Sequence, residues 1–152
     1  MKTHVPPLAA LAVASLSLML NTAAAQSRDA PAPALRLDVA SLRNSQGTLS
    51  CRLFTDAKAF PDGEGVRTVR VPIAGAQTSC VFDDLPPGTY AVAVVHDENG
   101  NGRLDKNFLG IPNEGYGVSN NRTYAASSPK WDESRFSVKA GEPLALRVAL
   151  RY

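Results

Sequence analysis

Apolar and polar residues alternate along much of this chain, and a period of two is typical of half-buried β-strands. The last segment shows this most clearly, because Leu144, Leu146 and Val148 share one face. Turn residues separate seven segments of this kind, at 35–40, 48–54, 66–74, 78–82, 89–96, 135–139 and 144–152. The pattern predicts an all-β protein, a seven-stranded antiparallel β-sandwich of immunoglobulin or transthyretin type with one long loop.

Details of the pattern predict how the strands are paired and covered. The first two strands, with turn residues between them, predict a hairpin. Pro72 has no N–H to donate, so one side of the third strand should be unpaired. The fifth strand is apolar on both faces, so both should be covered. One cover is the sandwich core, and the other is the aperiodic segment from Asp97 to Asp132.

The start of the chain has the features of a signal peptide. Lys2 gives a basic start, an apolar run extends from Leu8 to Leu20, and small residues precede Gln26. The run is too short for a membrane-spanning helix, so no anchor is expected after cleavage. The expected organisation is a signal peptide at 1–25, a disordered lead-in at 26–34 and a β-sandwich domain at 35–152, in the periplasm or the medium.

Charge argues against one class of partner. The formal net charge is only +2, and it falls to about +1 when Lys2 leaves with the signal peptide. Lysine and arginine are interspersed with acids and form no run, so nucleic-acid binding has little support. The sequence identifies no partner, although export would bring the protein to the proteins and glycans of the cell envelope.

Cys51 and Cys80 are the two cysteines of the chain, and each is predicted to lie on the inward face of a different strand. Two cysteines in a small exported domain most often form a disulfide. The alternative is a pair of free buried thiols on neighbouring strands. A zinc site is disfavoured, because the chain has no CxxC motif and only one histidine after the signal peptide.

A polar run after the fifth strand matches the first part of a calcium-binding loop, D-x-[DN]-x-[DN]-G. Asp97, Asn99 and Asn101 place side-chain oxygens at every second residue. Gly102 permits the tight turn, and Asp105 supplies an acid at the ninth position of the pattern. Calcium prefers oxygen ligands of these kinds.

Four further residues decide how complete the match is. The Arg103 carbonyl falls at the seventh position, and Leu104 should point inward and pin the loop to the core. The twelfth position should be an acid but is Phe108, so Glu114 is the nearest candidate for the last ligand. The predicted structural calcium site comprises Asp97, Asn99, Asn101, Arg103, Asp105 and Glu114. The alternative is a polar turn rich in Asn and Gly that needs no ion.

His96 immediately precedes this loop. With Asp97, Asp105 or Glu114 around a metal it could serve a hydrolase, which would require an accessible imidazole. A histidine at the end of a buried strand is more often a hydrogen-bonded structural residue, and that interpretation is favoured. The sequence contains no recognisable nucleophile, so no catalytic residue and no enzyme activity are predicted.

Aromatic residues in and after the long segment allow two interpretations. Tyr116, Tyr124 and Trp131 could form an exposed surface for a sugar or a peptide, or they could cover the second face of the fifth strand. The covering role is favoured. Tyr90 follows a Pro-Gly-Thr turn and resembles a tyrosine corner, in which the hydroxyl bonds back to the backbone.

The run Asp84–Asp105, with its His-Asp-Glu-Asn-Gly-Asn-Gly-Arg-Leu-Asp core, resembles a bacterial family of exported proteins called domain of unknown function 2141. The resemblance extends from about Leu35 to Val148 and includes Leu109–Asn120, Leu42-Arg43-Asn44 with Gly47, and Phe136-Ser137-Val138. It implies one exported β-rich domain without an assigned activity, and it carries over no catalytic residues. Val118 departs from the phenylalanine that is usual in the family.

Together these features predict an exported binding or accessory module of unknown ligand, whose long loop is ordered by calcium. One alternative is a metal-dependent hydrolase that uses His96 with the nearby carboxylates. Another is a carbohydrate- or peptide-binding module, which rests on analogy with other small β-sandwiches.

Overall fold

A computed structural model describes Met1, residues 35–122 and residues 127–152 of the chain. The predicted signal peptide, apart from Met1, and the predicted lead-in at 26–34 lie outside the described residues, as does Tyr124. No helix in the described ranges is long and apolar enough to cross a membrane.

Strands make up most of the regular structure. They are β1 (Leu35–Ala40), β2 (Thr48–Phe54), β3 (Arg67–Pro72), β4 (Thr78–Phe82), β5 (Gly88–Asp97), β6 (Gly115–Val118), β7 (Phe136–Val138) and β8 (Leu144–Ala149). A 3-10 turn at Ser119–Asn121 and a single-turn helix α1 (Trp131–Ser134) are the remaining elements of the described part. The all-β prediction is confirmed. The described strands number eight and not seven, because β6 lies in the segment expected to be an irregular loop.

The strands form two sheets. The small sheet has the order β4-β1-β8, and the large sheet has the order β3-β2-β5-β6, with β7 pairing with β5 beyond the end of β6. All named pairs are antiparallel except β1 with β8. The predicted hairpin of β1 and β2 is wrong. The two strands belong to different sheets, and their apolar faces meet across the core instead of lying side by side.

The core lies between the two sheets and is built from their inward side chains. Its fully buried members include Leu37 of β1, Leu49 of β2 and Val92 of β5. Cys51 of the large sheet and Cys80 of the small sheet form a disulfide through this core, with their Cα atoms 6.5 Å apart. The predicted disulfide is therefore confirmed, and it ties one sheet to the other.

β5 is covered on both faces, as its sequence predicted. Its outward residues Ala91 and Ala93 belong to a second apolar cluster that also contains Phe54 and Phe60 and is flanked by Trp131. The Phe60 ring lies edge-on to those of Phe54 and Trp131, with centroid distances of 5.4 and 6.0 Å. The 55–65 turn and the long segment therefore share the cover, whereas the sequence had assigned it to the long segment alone.

Two further predictions about strand ends are confirmed. Among the described residues, β3 pairs only with β2, so Pro72 lies on an edge strand. The Tyr90 hydroxyl donates to the Pro86 carbonyl at 2.8 Å, which is the expected tyrosine corner at the start of β5. This corner fixes the entry to the strand that leads into the candidate site.

Candidate binding site around the 97–114 loop

Residues 97–114, called the 97–114 loop below, begin at the last residue of β5. Asp97 is buried, and its carboxylate accepts backbone N–H bonds from Asn101 at 3.0 Å and Gly102 at 2.8 Å. Gly100 and Gly102 have φ angles of +74° and +81°, which glycine adopts without strain. The chain therefore turns around the Asp97 carboxylate, which is satisfied by backbone donors.

The other predicted side-chain ligands of the inner loop meet at Asp105. The amide nitrogens of Asn99 and Asn101 donate to its carboxylate, at 2.6 Å and 2.9 Å. Their amide oxygens accept backbone N–H bonds, Asn99 from Asn101 and Asn101 from Arg103, both at 3.0 Å. Asp97, Asn99, Asn101 and Asp105 are thus brought together, with the Arg103 backbone beside them.

Glu114 closes the loop as a clamp. It is 4 % exposed, and its two oxygens accept the backbone N–H groups of Glu98 at 2.9 Å and Asp105 at 3.1 Å. Leu104 is half-buried and belongs to neither apolar cluster, so the prediction that it pins the loop to the core is wrong. A tight loop leaves backbone donors without partners, and the buried carboxylates of Asp97 and Glu114 satisfy them.

The chemistry of this donor set suits a hard cation such as calcium, because it combines carboxylates, amides and backbone carbonyls. An amide carries its oxygen and its nitrogen on the same carbon, so Asn99 and Asn101 can present either atom to the centre of the loop. Within the described residues, no group of three or more His, Cys, Asp or Glu side chains could hold a metal ion. A cation here would depend on the amide and backbone oxygens as well as on the carboxylates.

His96 is fully buried and uses both of its ring nitrogens. Nε2 lies 2.8 Å from the Gln46 carbonyl, and Nδ1 lies 2.6 Å from the Tyr152 hydroxyl. Because a carbonyl oxygen only accepts, Nε2 donates to the Gln46 carbonyl, and the Tyr152 hydroxyl is the partner of Nδ1. His96 therefore has the structural role that its sequence position favoured. The accessible imidazole required by the hydrolase hypothesis is not found.

Arg43 links the 97–114 loop to Tyr152. Its Nε donates to Glu98 at 2.9 Å, its Nη2 donates to the Asn113 carbonyl at 3.0 Å, and its guanidinium lies 4.5 Å from the centre of the Tyr152 ring. The hydrogen bond from Arg43 lowers the pKa of Glu98, and burial raises the pKa of the Tyr152 hydroxyl. Arg43 therefore connects the 97–114 loop to Tyr152, whose hydroxyl contacts His96.

The outer part of the loop is a hydrogen-bonded turn that displays apolar side chains. Asn107 organises it, because its side-chain oxygen accepts the N–H groups of Leu109 at 2.9 Å and Ile111 at 3.0 Å. Its own N–H donates to the Ile111 carbonyl at 2.8 Å. Phe108, Leu109 and Ile111 are 95 %, 68 % and 56 % exposed, and these three residues are called the apolar tip.

A groove of about 1040 Å³ lies between this turn and the outer face of the large sheet. Outward side chains of β2, β5 and β6 line it, namely Ser50, Arg52, Ala93, Val95, Tyr116 and Val118. Further walls come from the 97–114 loop, from Pro61 and Asp62, and from Arg151. The Ser50 hydroxyl is buried and has no hydrogen-bond partner in the described part of the chain.

Tyr116 and Trp131 do not form an exposed aromatic platform. Trp131 is half-buried beside Phe60, and Tyr116 is half-buried on β6 opposite Val95. Trp131 has the covering role that was favoured. Tyr124 lies outside the described residues, so its assignment stays a prediction.

A family model described as "Uncharacterized protein conserved in bacteria (DUF2141)" matches residues 37–144. This range contains both cysteines, the groove strands β2, β5 and β6, and the whole 97–114 loop. The chain belongs to this family. Comparisons with curated proteins and with solved structures each give no match. The family description names no activity, so function has to be argued from the geometry of the site.

The groove is the part of the site that was not predicted from the sequence of this family member. Phe108, Leu109 and Ile111 were the available signal, because they are apolar residues within an otherwise polar, aperiodic segment. Ser50 and Arg52 carried no comparable signal. They are simply the polar positions of an alternating strand, a pattern that is typical of any solvated sheet face.

Proposed function

We propose that this protein is an exported binding module in which the 97–114 loop forms one wall of a ligand groove. We further propose that calcium orders this loop through Asp97, Asn99, Asn101, the Arg103 carbonyl and Asp105, with Glu114 as a clamp or a sixth ligand. The ion would be structural, and no chemical step is assigned to it.

The observation that carries the proposal is the exposure of the apolar tip on an ordered turn. Burying one large apolar side chain contributes about 1.5–3 kcal/mol. A ligand that covered these three exposed side chains would therefore gain a substantial part of its binding free energy from them. Asn107 fixes the backbone around these side chains, so little conformational entropy is lost when a ligand covers them. Contiguous exposed apolar surface beside a groove is typical of interaction sites.

The convergence of the inner-loop side chains supports the calcium component. Asn99 and Asn101 already contact Asp105, and the chain is wrapped around Asp97. A divalent cation would offset the repulsion between the two carboxylates and fix the base of the turn that carries the apolar tip. With two acids and neutral amides, the site resembles weak extracellular sites, with a Kd on the order of 10⁻⁴–10⁻³ M.

The test is thermal unfolding of the mature protein in calcium and in EGTA, together with calorimetric titration of calcium. Calcium at about 100 times Kd should stabilise the fold by about 2.7 kcal/mol and raise Tm. Asp105→Asn should abolish this rise, whereas Asp83→Asn, an exposed acid in another turn, should keep it. Equal Tm values in calcium and EGTA, with no heat of binding, would remove calcium from the proposal and leave the groove to be tested separately.

A further inference from the structure

We propose that the groove beside the apolar tip binds an acidic, extended peptide segment of a partner protein. This inference rests on the proposed binding-module function and adds the class of ligand. Three features of the groove carry it: the charge of its lining, its apolar wall and its floor.

The charged residues of the groove lining are predominantly basic. Among the described residues that line it, the basic ones are Arg52, Arg103, Lys106 and Arg151, and the acidic one is Asp62. Arg52 is held in position, since its Nη1 donates to the Gly63 carbonyl at 3.0 Å. The Lys106–Asp62 pair is long, at 3.9 Å, and both side chains are exposed, so a carboxylate of the ligand can replace Asp62 at little cost. The groove therefore favours an anionic ligand.

The apolar wall requires that the same ligand also carry apolar groups. Leu109 and Ile111 line the groove, and Phe108 extends beyond it. A ligand with charge alone would leave these three side chains in water. Alternating acidic and apolar side chains on an extended chain would reach the basic lining and the apolar tip together.

On the floor of the groove, the hydroxyl of Ser50 calls for a hydrogen-bonding group on the ligand. Ser50 is 4 % exposed with an unpartnered hydroxyl, and its cross-strand neighbours on this face are Val95 and Arg70. A peptide backbone offers both donors and acceptors to such a group.

The experiment is fluorescence anisotropy with a labelled synthetic peptide in which glutamates alternate with leucines and serines. A matched peptide with lysine for glutamate tests charge, and oligogalacturonate and phosphatidylglycerol vesicles test the other anionic classes. We expect the glutamate peptide alone to bind, with a Kd that rises with salt. The variant R103A/K106A should weaken binding by about tenfold or more, and L109S/I111S by about fivefold or more.

Matched surface variants separate binding from folding. Lys139→Ala removes an exposed lysine and Val66→Ser an exposed valine, both outside the groove, and both should bind the peptide as the wild type does. All variants should keep the wild-type Tm. Equal binding of the glutamate and lysine peptides, or binding unaffected by both groove variants, overturns the inference. If only oligogalacturonate or vesicles bind through the groove, the ligand class is wrong and the binding module stands. If none of these probes binds, both the acidic-peptide inference and the assignment of the groove as a binding site fail.

Discussion

The inner face of the large sheet carries Leu49, Cys51 and Val92, none of which is exposed, whereas the middle of its outer face carries Ser50, Arg52 and Val95 around a groove. The inner face packs against a second sheet and is tied to it by a disulfide. Among the described residues, the apolar cover of the outer face lies near Phe60, and this face ends at a loop held by hydrogen bonds to carboxylates. Substitutions on the two faces should therefore affect different properties, stability on the inner face and binding on the outer face.

The largest effect is expected on the inner face. Replacing Cys51 and Cys80 together by alanine should lower the free energy of unfolding by about 2–5 kcal/mol, because the unfolded chain is no longer constrained. Urea denaturation of the wild type and the double variant measures this. A loss below about 1 kcal/mol would show that the packing of the two sheets suffices without the bridge, and the contrast between the faces would weaken.

The next effect tests how the outer loop is held. Glu114→Gln replaces one acceptor oxygen by an amide that faces a backbone N–H, so it should cost about 1–3 kcal/mol. If Glu114 is a clamp, urea denaturation should show the full loss in EGTA. A loss seen only when calcium is present would instead identify Glu114 as a metal ligand.

A smaller, pH-dependent effect concerns the link between this loop and Arg43. The hydrogen bond from Arg43 lowers the pKa of Glu98 in the folded protein. A lowered pKa stabilises the fold above the ordinary glutamate value of 4.5, and this contribution disappears as the pH falls through the folded pKa. The Tm difference between the wild type and Glu98→Gln should therefore shrink on acidification. A difference that is constant with pH would contradict the role of the charged pair.

The smallest effect on stability is expected at the apolar tip. Phe108→Ser should change the free energy of unfolding by less than about 0.5 kcal/mol, because the side chain is almost fully exposed. Urea denaturation checks this prediction. A loss above about 1 kcal/mol would mean that the Phe108 side chain stabilises the fold. The exposure of the apolar tip would then no longer indicate a binding surface.

Strands that carry side chains on both faces could be predicted from their alternating pattern. β6 could not be predicted in this way. Two of its four residues are glycines, so it lacks the alternation that marks β8. A Cβ at Gly115 would lie 2.5 Å from the Tyr152 ring, and one at Gly117 would lie 2.7 Å from Val148. The close packing that leaves room only for glycine at these two positions also removes the alternation of side chains from which β6 could have been predicted.

The candidate site, too, could be predicted only in part. The spacing of Asp97, Asn99 and Asn101 predicted calcium ligands in one loop, and calcium binding stays a prediction, although the structure does place these residues close together. The same spacing does not reveal that backbone N–H groups occupy the carboxylates, because those contacts depend on the φ angles of Gly100 and Gly102. The failed hairpin has a related cause, since local patterns predict strands but not the sheet in which each strand lies.

The disulfide determines whether the protein stays in one piece when a protease cuts its chain. Cys51 and Cys80 close a covalent ring that contains the 55–65 turn and the edge strand β3. A protease that cuts this exposed turn once would open the ring without separating the molecule, because the bridge still joins the two fragments. A nicked molecule would keep β3 within its covalent structure, and its fragments would separate only after reduction and unfolding.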